Sequence, residues 1–128
     1  MTAKETTLLG LMGFGIWLSG AVGFRLGGTL LFESGPLVLA LVAVGMGASV
    51  CLLLKATMDW RKVPVAQSAS VALIMTLGGL FGDVAYILDF SQITGLKPTT
   101  AGPFAAVLIF ATAVLYLYAL VRAARAAA

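Results

Sequence analysis

From Pro36 to Leu54 the chain reads PLVLALVAVGMGASVCLLL, with no charged side chain. A helix needs about 20 apolar residues to cross the ~30 Å hydrocarbon layer of a bilayer. In lipid every backbone N–H and C=O must be paired internally, so a run of this length predicts a spanning helix rather than an open strand. The run extends to about residue 55, and three similar runs cover about 7–30, 65–89 and 103–122. The expected fold is all-α: one polytopic membrane domain over residues 1–128, with four transmembrane helices in an up-down bundle. The runs are too long and continuous for the alternating strands of a membrane barrel.

Composition agrees. Of 128 residues, 61% are hydrophobic and 10% charged, against roughly 45–50% and about 25% in soluble domains. A globule this small leaves about a third of its unfolded surface exposed, so it cannot hide that much apolar area. An ordinary soluble enzyme domain is excluded, and so is a disordered chain. The chain has no histidine and one cysteine. Imidazole ligation, imidazole general bases and Ser-His or Cys-His pairs are therefore excluded. Cys51 has no partner for an intrachain disulfide and reads as a small buried hydrophobe. No metal site and no cofactor is expected.

Breakers separate the runs: Glu33-Ser34-Gly35-Pro36, then Met58 to Pro64, then Ser91 to Pro103. Glu33 reads as a loop residue. Pro36 and Pro103 suit the first helical position. Trp60, Phe32 and Phe90 fall near the expected interfaces, where aromatic rings are favoured. Lys4, Lys55, Arg61, Lys62, Arg122 and Arg125 lie on one side, with only Arg25 and Lys97 toward the other. The positive-inside bias then puts both termini in the cytoplasm, with the cytoplasmic (inner) membrane as the expected location. The net charge of +3 is spread singly or in twos at helix ends and calls for no nucleic acid. The first run is long for a signal-peptide core, so a retained span is expected.

The halves show a faint likeness, Gly20-Ala21-Val22-Gly23 with Gly79-Leu80-Phe81-Gly82, and Ser34-Gly35-Pro36 with Ala101-Gly102-Pro103. Two tandem helical hairpins are one reading of it.

Arg25 and Asp83 are the charges that are candidates for positions within or near the hydrocarbon, whereas Asp89, about two turns beyond Asp83, reads as interfacial. At ~1.5 Å per residue Arg25 and Asp83 both lie roughly 27 Å along their helices. A lone ionised side chain in lipid costs at least ~2.5–3.5 kcal/mol, and pairing offsets part of that. An Arg25–Asp83 ion pair is expected between the first and third helices. Structurally it fixes register; functionally Asp83 is a proton- or cation-binding carboxylate, or Arg25 an anion site; alternatively both snorkel to the interface. Tyr86 shares a face with Asp83 at i,i+3, and Thr76 is a further polar neighbour. Gly20, Gly23, Gly27, Gly78, Gly79 and Gly82 are expected to let helices approach closely. Tyr116 and Tyr118 read as headgroup-level rings with wet hydroxyls. Trp17 reads as a ring facing lipid or filling the bundle.

The run from Trp17 through Phe24-Arg25-Leu26-Gly27, then Gly78-Gly79-Leu80-Phe81-Gly82-Asp83, then Ala101-Gly102-Pro103-Phe104, resembles a family of small bacterial four-span membrane proteins. That family is catalogued only as a domain of unknown function. The resemblance implies a four-helix membrane fold and a shared Arg25–Asp83 pairing, and no activity. Gly95-Leu96-Lys97-Pro98 departs from the aromatic-Pro-Asn stretch the pattern would carry.

The leading expectation is a non-enzymatic bundle that acts by helix packing. It would be an accessory subunit of a membrane complex or a homo-oligomer, with the lipid bilayer and partner helices as its contacts. The alternative is a small oligomeric transporter or channel using Asp83 as coupling carboxylate and Arg25 as counter-charge. A sealed ion pair favours the first, and Asp83 facing a cavity favours the second.

Overall fold

The structure, a computed structural model, describes residues 1–128. Four long helices and one short one make up the fold: α1 (Ala3–Phe32), α2 (Pro36–Arg61), α3 (Ser68–Leu88), α4 (Phe90–Thr94) and α5 (Ala101–Ala127). Single 3₁₀ turns at Val65–Gln67 and Pro98–Thr100 lead into α3 and α5. The protein is an all-α polytopic membrane protein, with four helices long and apolar enough to span a bilayer. Thr2 caps α1 by accepting the Glu5 N–H at 3.2 Å, and Pro36 opens α2. The cap starts α1 at Ala3, earlier than hydropathy alone places it.

The long helices pair across the two hairpins, and the second hairpin is also packed within itself. α1 packs chiefly on α3, α2 on α5, and α3 joins the two pairs through α5. α1 and α2, though joined by a short turn, hardly touch. The second hairpin is closely packed and the first is splayed, so the two do not repeat one arrangement.

Two hydrophobic clusters fill the bundle. At the end holding the termini, Leu9, Leu54, Met58, Val71, Met75 and Leu115 meet. At the opposite end Phe104 is the hub, with ring centroids of Phe24, Phe32, Tyr86 and Phe90 at 4.9–5.5 Å. Phe32 and Phe90 are therefore core residues, not the interfacial rings expected, because the turns at both helix ends fold inward over Phe104. Trp60 is exposed as expected. Leu26 and Leu88, each 84% exposed, present the apolar outer surface that a bilayer covers.

Candidate functional site

Gly13 of α1 lies against the backbone of Met75 in α3 so closely that a Cβ there would collide with the Met75 carbonyl. Such contact between backbones is what small residues permit in membranes, where apolar helices gain nothing by hiding from lipid. It brings α1 and α3 together at the level of Trp17. The indole of Trp17 then lies flat on α3. A Cβ at Gly79 would sit 2.9 Å from it, and one at Gly82 2.7 Å. Phe14 rests on Gly78 in the same way and stacks on Trp17 at 5.6 Å. The three glycines form a bed that lets the indole N–H reach the next residue, Asp83, and donate to Oδ1 at 2.7 Å.

The six glycines expected to pack divide here. Gly78, Gly79 and Gly82 are packing positions. At Gly20, Gly23 and Gly27 an added Cβ would meet nothing within 4 Å: Gly20 faces the open space between the helices, and Gly23 and Gly27 lie on a face of α1 that no helix packs against. Gly13, which makes the closest contact, lies outside the six.

Arg25 and Asp83 do not form the expected ion pair. The protein's two salt bridges are Lys55–Asp59 at 2.6 Å and Arg61–Glu5 at 3.8 Å. Arg25 instead lies beside Gly95, where a Cβ would be 2.6 Å from its guanidinium. Gly95 ends α4 with φ +73°, a left-handed conformation that glycine adopts without strain. The physical reason is that α4 and its loop fold back along α1 and receive Arg25, while Trp17 already occupies the carboxylate.

Asp83 lines a cavity of about 320 Å³ between the four long helices, bounded by the two hydrophobic clusters. Trp17, Phe24, Tyr86 and Phe104 supply aromatic walls, and no lysine or arginine contributes. Ser49 and Leu53 of α2 line it and remain exposed, so the cavity opens along the α1–α2 seam at mid-helix. That seam is held at one end by Arg61–Glu5 and at the other by the connecting turn. Tyr86 faces the cavity and donates to the Ala21 carbonyl at 3.4 Å, not to Asp83. Thr76 lines it too, and its hydroxyl stands 2.6 Å from that of Tyr116. Tyr116 is thus an α3–α5 link rather than the expected headgroup ring. Tyr118 lies under Arg122, 5.8 Å from ring to guanidinium.

Glu33 is a clasp rather than a plain loop residue. Its Oε1 accepts the Lys97 backbone N–H and the Thr100 hydroxyl, both at 2.9 Å. Those hydrogen bonds, the Lys97 one foremost, hold its carboxyl below the usual glutamate range.

The fold and site define a small polytopic membrane protein with one carboxylate set into an apolar central cavity. Residues 30–126 match the model of a family described as a family of unknown function, DUF5367. The chain belongs to that family. The matched segment holds Thr76, Asp83 and Tyr86, while Trp17 and Arg25 precede it. No curated protein matches the chain, and no solved structure does.

Proposed function

We propose that this protein is a non-enzymatic membrane carrier that binds a small solute inside its bundle and passes it across the bilayer. Asp83 is the binding and coupling carboxylate. The observation that supports this reading is the cavity beside Asp83, closed at both ends by apolar clusters, with the carboxylate free of any salt bridge. Ionisable groups in membrane helices are costly and mark solute paths when they face a cavity. We place it in a bacterial inner membrane, and the charge bias supports cytoplasmic termini.

Two-sided thiol labelling tests the reading. In a Cys51→Ala background, Ser49→Cys puts a thiol on the cavity wall. A membrane-impermeant reagent should label it in both right-side-out and inverted vesicles. Labelling from neither side, or from one only, would refute transport.

A second reading has its own support. Gly15, Ser19, Gly23 and Gly27 recur every fourth residue on α1 and face outward, with nothing against the three glycines. Such a stripe suits helix association, as in a homo-oligomer or an accessory subunit of a larger complex. It takes first place if the labelling fails.

A further inference from the structure

Every donor in the cavity wall is already engaged. The Trp17 N–H serves Asp83, and the Tyr86 hydroxyl serves the Ala21 carbonyl. The hydroxyls of Ser49, Thr76 and Thr112 donate to the carbonyls of Gly45, Ala72 and Leu108, at 2.7, 2.9 and 2.9 Å. These bonds to the preceding helical turn use the single proton each hydroxyl owns. What remains for a guest is a carboxylate with most of its lone pairs free, and otherwise hydrocarbon and aromatic faces.

We infer that the cavity is built for a hydrophobic organic cation: one positive charge on an apolar body. The inference rests on the carrier reading above and names its substrate class. An anion, or a neutral molecule recognised through its carbonyls, meets no free donor and would lose its hydration without replacement. A bare divalent metal needs about six oxygen ligands, and the wall offers one carboxylate. An ammonium or similar centre gains the charge of Asp83 in surroundings of low dielectric. It also meets a wall lined by the aromatic side chains of Trp17, Tyr86, Phe24 and Phe104, and aromatic rings attract cations. An apolar body fills the rest. The opening along the α1–α2 seam faces the bilayer core, from which such a molecule partitions.

The test compares two isosteres, benzyltrimethylammonium and neopentylbenzene, which differ by nitrogen for carbon and therefore by one charge. Trp17 and Trp60 are the two tryptophans, so Trp60→Phe leaves Trp17, in the cavity wall, as reporter. With this protein in nanodiscs, and empty nanodiscs as reference, the cation should change Trp17 emission saturably. Its Kd should be at least ~10-fold below that of the neutral isostere, the factor that about 1.4 kcal/mol gives. Asp83→Asn keeps an oxygen acceptor for Trp17 and so preserves the fold; it should erase the preference. Asp83→Glu should retain it. Equal affinity for the two compounds, or an Asp83→Asn protein that still prefers the cation, overturns the inference, as does no saturable response to the cation. Any of these leaves two-sided labelling at position 49 unaffected, so the substrate class and the carrier reading fail separately.

Discussion

Trp17 and Asp83 stand 66 positions apart in the chain and 2.7 Å apart in space. This hydrogen bond, with that of Tyr86 to Ala21, ties α1 to α3 at the level of the cavity, and it forms only because Gly79 and Gly82 leave room for the ring. Trp17→Phe keeps a ring and removes the donor. Hydrogen bonds to charged groups contribute about 1.5–3 kcal/mol. The variant should melt lower in detergent by a corresponding amount. An unchanged melting temperature would show the bond to be energetically idle.

The glycines of α1 and α3 should separate into two sets under substitution. Gly13→Ala drives a methyl into the Met75 carbonyl, and neither backbone can move without parting α1 from α3. A loss above about 2 kcal/mol is expected, as for other overpacked sites. Gly23→Ala and Gly27→Ala meet nothing and should be neutral or gain up to ~1 kcal/mol from helix propensity. Unfolding in a denaturant series decides it; equal losses at Gly13 and Gly23 would contradict the packing described.

Tyr116 and Thr76 link α5 to α3 through their hydroxyls, 2.6 Å apart. Interhelical hydrogen bonds in membrane proteins average about 0.6 kcal/mol by double-mutant cycles. A cycle of Tyr116→Phe and Thr76→Val should give a coupling of that size. Strict additivity would remove the link.

The Glu33 clasp should loosen in acid. Its folded-state pKa is depressed by the Lys97 N–H and the Thr100 hydroxyl. A depressed carboxylate adds stability that is present above its unfolded pKa and lost as pH falls through the folded value. Protection of the Lys97 amide against hydrogen exchange, corrected for intrinsic rate, should therefore hold at neutral pH and fall in acid. In Glu33→Gln the step should vanish. Protection that ignores pH in both proteins would argue against the clasp.

Spans, breaks and class are legible because hydropathy over twenty residues is a property of each segment alone. Which helices pair is not such a property. Gly23 and Gly27 share the four-residue spacing of Gly78 and Gly82, yet only the second pair meets a partner. The choice depends on where Trp17 and Phe14 fall on the neighbouring helix. Asp83 is legible as a charge where charge is costly, but sign and depth alone point to Arg25 as its partner. An indole N–H carries no charge to count, and α4 folding back to take Arg25 has no sequence signal. A bulky aromatic on one span opposite a small-residue cluster on a parallel one is the available clue. The role of Glu33 stays hidden because its partners, a backbone N–H and a hydroxyl, lie in a loop whose path hydropathy does not describe.

The splayed first hairpin has a consequence for biosynthesis. α1 and α2 emerge first, yet their partners are α3 and α5. Until the second hairpin arrives, Gly13 and Trp17 have no α3 to lie against, and α2 has no α5. The first half of the chain therefore waits in the bilayer as two loosely joined helices, and the second half, entering as a packed pair, completes both interfaces at once.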